Sequence, residues 1–233
     1  MGVGIRRAGP GDRDFVVGLL DEAFRDDPVS NWVFPGAEHR RARHPGLMGA
    51  FTDVTFAEGY IDLAEDGSAV ALWMDVPAGA EERGGAADAR AGGDAKAAGA
   101  EGEVGAAGAA GGTEADGGEP DGPAQLRAAV DPDNERVEQI GRLTEAVHPT
   151  GRAHVYLWMI GVHPERQGEG LGTALMAPVL ERCDREGVPA YLEASNARSR
   201  ALYERLGFVF TGTAVDLPGG PSLWPMWREP RTD

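Results

Sequence analysis

An apolar run that ends in a glycine-rich turn constrains this chain more than any other feature. The run 155–162 contains no charged residue and predicts a buried strand. Leu171 and Leu175 begin the apolar face of a following helix. Between them lie glycines at positions 168, 170 and 172. Free backbone N–H groups and the positive end of the helix dipole meet at such a junction, so the sequence predicts an anion-binding site.

Two common phosphate-binding loops do not fit this turn. The P-loop requires a lysine that is absent here, and the dinucleotide fingerprint requires G-x-G-x-x-G where this chain has G-x-G-x-G. The pattern Gln167-x-x-Gly170-x-Gly172, after a strand that ends in Val-x-Pro, resembles the pyrophosphate-binding motif of the GCN5-related N-acetyltransferase (GNAT) superfamily. An ordinary glycine-rich turn between a strand and a helix is the alternative interpretation.

A second segment extends the resemblance. Residues 189–194 predict another strand, and Leu202 and Leu206 stack on one helix face before Gly207. Asn196, followed seven residues later by Tyr203 and then by E-R-L-G-F, is similar to the other signature of the same superfamily. Both motifs occur in the order and at the spacing that the superfamily shows.

The resemblance implies an α/β protein with the GNAT fold. That fold is a mixed, mostly antiparallel seven-stranded sheet, splayed between strands 4 and 5 and flanked by helices. Local patterns agree: a strand at 3–8, a helix over 15–24, a second helix near 38–58, and a hairpin over 60–76. We expect two C-terminal strands, at 209–215 and 222–227.

Residues 80–123 differ sharply in composition, with 13 Gly and 14 Ala among 44 residues. Such a segment cannot bury enough apolar surface to offset its ordering entropy, which predicts a disordered insertion. An alanine-rich helix is the competing interpretation, but the frequent glycines oppose it. Since both halves are needed to complete the sheet, we expect one domain over 1–233, interrupted by this insertion.

The net charge of −16 argues against nucleic acid or an anionic membrane as a partner. Cys183 is the only cysteine, and the five histidines show no zinc-binding spacing, so no metal is expected. No apolar run reaches membrane length and no signal peptide is recognised, which predicts a cytoplasmic protein. A monomer or a homodimer is compatible with the sequence.

The resemblance implies transfer of an acetyl group from acetyl-CoA to a primary amine of a small molecule, by direct attack in a ternary complex. The backbone of Ile160, Gly161 and Val162 would pair with the pantetheine arm, and Asn196 would also contact acetyl-CoA or simply cap a helix. The pyrophosphate would lie on the turn formed by Gln167, Gly168, Glu169, Gly170, Leu171, Gly172 and Thr173.

Two side chains are candidates for the acid–base chemistry. Tyr203 occupies the motif position of the proton donor to the departing thiolate, for which a phenol is suited. Its alternative is a core aromatic residue. Glu193 is the candidate general base, directly or through water, and its alternative is a solvated or ion-paired carboxylate.

The acceptor site is less well defined. Trp32 and Phe34, in a predicted aromatic loop, either border the acceptor pocket or belong to the core. Asp27 is a candidate for binding a cationic acceptor, and Trp158 for binding the acceptor and excluding water. The motifs Phe24-x-x-Asp27-Pro28 and Gly220-Pro221-x-x-Trp224 resemble the branch that contains puromycin N-acetyltransferase, which suggests a role in antibiotic resistance. A non-catalytic acyl-CoA sensor and a peptide or protein acceptor remain the alternatives.

Overall fold

The structure, a computed structural model, describes residues 3–79 and 122–231. Seven α-helices lie in these ranges: α1 Arg13–Phe24, α2 Pro28–Val33, α3 Ala37–Glu58, α4 Gly122–Val130, α5 Glu135–Glu145, α6 Leu171–Glu186 and α7 Ala197–Arg205. The strands are β1 Ile5–Arg7, β2 Tyr60–Ala64, β3 Ala69–Val76, β4 His154–Val162, β5 Ala190–Ala194, β6 Val209–Phe210, β7 Val215–Asp216 and β8 Ser222–Arg228. No helix in the described ranges is long and apolar enough to cross a membrane.

One mixed sheet joins the strands from both sides of the 80–121 gap, in the order β1-β2-β3-β4-β5-β8-β6, with β7 paired to β8. All pairs are antiparallel except β4 with β5. The sheet has eight strands rather than the expected seven. The segment predicted as one strand over 209–215 forms two short strands, β6 and β7, because Gly212 between them has a φ of +101°.

Helices cover both faces of the sheet, and the side chains of β3 alternate between two cores. Val70 and Leu72 pack with the first core, which α1, α2 and α3 cover. Ala71 and Trp73 pack with the second core, which α6 covers. Successive side chains of a strand point to opposite faces of the sheet. Because a core covers each face, β3 is buried on both.

The predicted aromatic loop is a short helix, α2. Asp27 caps its N-terminus by accepting a hydrogen bond from the Val29 N–H, and Pro28 stands at the first helical position, where its missing N–H costs nothing. Trp32 and Phe34 are 6% and 0% exposed and belong to the first core. The Trp32 indole donates to the Pro218 carbonyl.

The end of the predicted insertion is already ordered structure. Gly122 and Pro123 begin α4, and Pro123 is buried, so the predicted boundary at 123 is two residues too late. The prediction of disorder for 80–121 lies outside the described residues. Residues 131–134 separate α4 from α5, and Asn134 caps α5 by accepting from the Arg136 N–H.

Candidate functional site

The sheet opens where β4 and β5 diverge. These strands pair only through Val155–Leu157 and Ala190–Leu192, although β4 continues to Val162. Beyond Leu157, one edge of β4 therefore has no strand partner among the described residues. The His163 N–H donates to Ser68 on the β3 side, so by alternation the backbone groups of Ile160 and Val162 face the opening.

A β-bulge stands at the start of this opening. Leu72 is opposite Met159 and Trp73 is opposite Leu157, which leaves Trp158 as the extra residue of β4. Bulges re-aim side chains next to functional sites. The Trp158 ring lies 4.7 Å from the Phe51 ring of α3, centroid to centroid, and both residues line a single cavity.

The glycine-rich turn lies at the far end of β4 and leads into the N-terminus of α6. Gly168 and Gly170 have φ angles of +92° and +83°, where side chains are strained. A Cβ on Gly170 would meet no atom within 4 Å, so the space above it is open. A Cβ on Gly172 would lie 3.2 Å from Leu202, so this glycine permits close packing of α6 on α7. The turn thus offers exposed N–H groups at a helix N-terminus.

Two charged residues near the turn have different positions. Arg198 of α7 donates to the Gln167 side-chain oxygen at 3.1 Å and lines the cavity. Glu169 forms an ion pair with Arg166 at 2.8 Å and does not line the cavity. The sequence prediction missed Arg198. It lies two residues after Asn196, on the first turn of the helix that carries the second motif, and this position could have indicated it.

One cavity of about 820 Å³ connects the turn, the open edge of β4 and the helices α3, α4 and α5. Most of the residues predicted from the sequence line it. They are Asp27, Trp158, Ile160, Gly161, Val162, Gln167, Gly168, Gly170, Leu171, Gly172, Thr173, Glu193, Asn196 and Tyr203. Trp32 and Phe34 do not, because α2 turns them into the core.

Asp27 connects α2 to the segment after β5. Its Oδ2 accepts from the Ser195 hydroxyl at 3.0 Å and from the Asn196 amide at 3.4 Å. Burial raises the pKa of Asp27 despite these hydrogen bonds. Asn196 also caps α7 by accepting from the Ser199 N–H. Asp27 therefore anchors the start of the α7 helix, a role in addition to its position on the cavity wall.

Tyr203 is 5% exposed and lines the same cavity. Burial, with the nearby Asp27 carboxylate as a smaller cause, raises its pKa above the ordinary value of a phenol. The hydroxyl is therefore protonated at neutral pH and can act as a proton donor. The Tyr203 ring also packs on the Phe208 ring, with 6.1 Å between the ring centroids. The ring therefore fits the core interpretation, and the hydroxyl fits the catalytic one.

Glu193 stands one residue beyond Leu192, the last β5 residue paired to β4. Its Oε2 accepts a 2.8 Å hydrogen bond from the Tyr156 hydroxyl. Its Oε1 and the Tyr191 hydroxyl are buried and form no hydrogen bond of ordinary geometry with the described residues. Burial raises the pKa of Glu193 to about 7, although the Tyr156 hydrogen bond opposes this rise. A carboxyl group with a pKa near neutrality can exchange a proton during a reaction.

Two histidines, His148 and His154, pack beside the group formed by Tyr156, Tyr191 and Glu193. The His148 ring packs edge-on against Tyr156 and Tyr191, at 4.8 and 5.0 Å, and lines the cavity. Its Nε2 lies 3.2 Å from Nε2 of His154, whose Nδ1 donates to the Arg152 carbonyl. Burial lowers the pKa of both rings, that of His148 to about 4. Both are neutral at pH 7 and add no positive charge beside Glu193.

Comparison with known proteins agrees with the motifs. Residues 121–208 match the model of the acetyltransferase (GNAT) family. An uncharacterized N-acetyltransferase of Schizosaccharomyces pombe is 44% identical over 81 residues, which are 34% of this chain and 32% of that protein. The L-2,4-diaminobutyric acid acetyltransferase of Marinococcus halophilus is 37% identical over 76 residues, 31% of this chain and 44% of that protein. The chain thus spans less than half of the length of these curated relatives.

A crystal structure described as histone acetyltransferase HPA2 and related acetyltransferase, from Corynebacterium glutamicum, superposes with a TM-score of 0.65 at 22% identity. The match covers 100% of this chain and 99% of that one. The predicted fold class, a mostly antiparallel sheet flanked by helices and open between β4 and β5, is therefore confirmed as the GNAT fold. The family model and the relatives support a likeness to GNAT superfamily acetyltransferases over part of the chain.

Proposed function

We propose that this chain, which has the GNAT fold, transfers an acetyl group from acetyl-CoA to a primary amine of a small molecule. One observation carries the proposal: a single cavity joins the α6 N-terminus, the unpaired edge of β4, a carboxyl group of raised pKa and a protonated phenol. Each of these groups matches one demand of acetyl transfer from a thioester.

The residues present fit acetyl-CoA. The open turn over 167–173 offers backbone N–H groups to a pyrophosphate, and Arg198 adds a cation beside Gly168. The backbone of Ile160 and Val162, which has no strand partner on this edge, offers strand-like partners to the amide groups of the pantetheine arm; the Val162 carbonyl also accepts a long hydrogen bond of 3.4 Å from the Gln167 amide. One of these N–H groups is also the candidate donor to the carbonyl oxygen during attack. Acetyl-CoA, when bound, supplies the activated thioester.

The acid and the base have separate positions. The Glu193 Oε1, which forms no hydrogen bond of ordinary geometry with the described residues, takes one proton from the bound ammonium, directly or through a water, and the neutral amine nitrogen then attacks the thioester carbonyl. The second proton that the nitrogen loses after attack replaces the proton that Tyr203 gives to the sulfur. The Tyr203 hydroxyl gives its proton to the sulfur as the carbon–sulfur bond breaks. Trp158 and Phe51 form an apolar wall that limits access of water.

Support for a small-molecule acceptor comes from a relative that is named for L-2,4-diaminobutyric acid. The motifs around Asp27 and Trp224 suggest an antibiotic such as an aminonucleoside. The test is CoA release from acetyl-CoA across a panel of amines that includes puromycin and a lysine-containing peptide. Turnover of a small amine supports the proposal. Binding of acetyl-CoA without release on any amine favours a non-catalytic sensor, and preference for the peptide changes the acceptor class.

A further inference from the structure

We infer that the acceptor is a cationic amine with an apolar, preferably aromatic, body and no carboxylate of its own. This inference rests on the proposed function, because it concerns the acceptor half of the same cavity. That half is the space between α3, α4, α5 and the Tyr156–Glu193 pair, on the side of Trp158 away from the glycine-rich turn.

The walls of the acceptor half are mostly apolar. Phe51 and Trp158 form a ring pair on one side, and further lining comes from five apolar residues. They are Leu47, Val54, Met74, Leu126 and Ile140. Val54 is 38% exposed, which is unusual for a large apolar side chain of this protein. Burying an apolar ligand against these residues stabilises the complex by about 25 cal/mol per Å² of apolar surface removed from water.

The charges of this half have one sign. Its ionisable side chains among the described residues are the glutamates 58, 145 and 193, together with His148 and Tyr156, which are both neutral at pH 7. Glu58 and Glu145 form no ion pair with another described residue, whereas most acids of the fold are paired. The lining arginines, Arg198 and Arg205, both lie on α7, on the cofactor side. An ammonium group is therefore attracted, and a carboxylate meets only like charges.

Binding measurements on matched ligands test this inference independently of turnover. Calorimetry on protein saturated with CoA compares 2-phenylethylamine, L-phenylalanine amide and L-phenylalanine, which share one aromatic body. We expect the first two to bind at least about tenfold more tightly than phenylalanine, since only phenylalanine carries a carboxylate. Ethanolamine, which lacks the apolar body, should bind at least about tenfold more weakly than 2-phenylethylamine, which is within the range that a few buried methylene groups supply.

A charge exchange at the rim sharpens the test. Glu145→Lys should raise the affinity for phenylalanine relative to its amide by about tenfold. Glu181→Lys is the control, because it changes the net charge equally on an exposed α6 position that does not line the cavity. Equal binding of phenylalanine and its amide, or of ethanolamine and 2-phenylethylamine, overturns the inference. Failure of every bound amine to release CoA would instead refute the proposed function and leave the binding preference measured.

Discussion

Replacing Glu193 by glutamine tests whether the raised pKa serves catalysis at the expense of stability. The pKa of this carboxyl rises from the ordinary 4.5 to about 7 in the folded protein. Each unit corresponds to about 1.4 kcal/mol, so the ionised carboxylate costs the folded state up to about 3 kcal/mol. Glutamine can still accept the Tyr156 hydrogen bond but does not ionise, so Glu193→Gln removes this cost.

The sign of the effect follows from proton linkage. Between pH 4.5 and 7 the folded protein holds this proton more often than the unfolded chain does. Wild-type stability from this group therefore falls as the pH rises through that window, and the loss is complete above the folded pKa. Glu193→Gln should melt at the same temperature as wild type near pH 4 and several degrees higher at pH 8, at roughly 2–4 °C per kcal/mol.

The catalytic activity of Glu193→Gln should fall, whereas its stability should rise. Wild-type kcat/KM on a productive amine should rise with pH up to about 7 and then level, because the base must be deprotonated. In Glu193→Gln this limb should disappear and kcat should fall by about 10²–10⁴-fold. Exposed Glu181→Gln is the matched control for both readouts. A variant that is less stable than wild type at pH 8, or that keeps the pH limb, would refute the reasoning.

Three further substitutions test the glycine-rich turn, the Tyr203 hydroxyl and an ion pair between β8 and α6. Gly170→Glu places a charged side chain on the anion site, at a φ of +83°. Calorimetry should show loss of acetyl-CoA affinity while the circular dichroism spectrum is unchanged. Retained affinity would locate the cofactor elsewhere. Tyr203→Phe should lower kcat by about 10²–10⁴-fold with little change in acetyl-CoA affinity or melting temperature, and a kcat within about twofold of wild type would return Tyr203 to a purely structural role. Arg228 of β8 is 3% exposed and donates two hydrogen bonds to Asp184 of α6, which is 24% exposed and also accepts from the Arg231 N–H. Arg228→Met should therefore destabilise the fold by about 1–3 kcal/mol in urea unfolding, and an unchanged unfolding midpoint would contradict the importance of this pair.

The turn and its helix could be predicted because their signals are local. An apolar run, three glycines and a following helical period define the backbone path within twenty residues, and α6 begins at Leu171 as that pattern implies. The same is true of the hairpin formed by β2 and β3. The sequence analysis assigns Asp27 and Pro28 to an acceptor-site motif, but an Asp-Pro pair is also a helix start, which is how α2 uses it.

The acceptor wall could not be predicted in this way. Phe51 meets Trp158 only because α3 packs across the sheet, and Leu126 and Ile140 reach the cavity from helices beyond the 80–121 gap. Such contacts depend on tertiary packing and leave no periodic signal in the chain. For Trp32 and Phe34 the sequence left the core and the acceptor pocket as alternatives, since an aromatic cluster in sequence indicates buried surface without saying which surface it buries.

The bulge at Trp158 lies beside two of the buried polar groups that lack an ordinary hydrogen bond, the Tyr191 hydroxyl and Glu193 Oε1. The extra residue shifts the register between β4 and β3 at the level at which β5 departs, one residue before Glu193. The edge of β4 then lacks a strand partner, and Glu193 Oε1 and the Tyr191 hydroxyl are buried without a hydrogen bond of ordinary geometry among the described residues. Buried polar groups without partners cost free energy, so a stable fold keeps few of them without a reason. An acetyl donor along β4 and an amine at Glu193 would contact these groups, and both ligands together should therefore raise the melting temperature more than acetyl-CoA alone does at the same concentration.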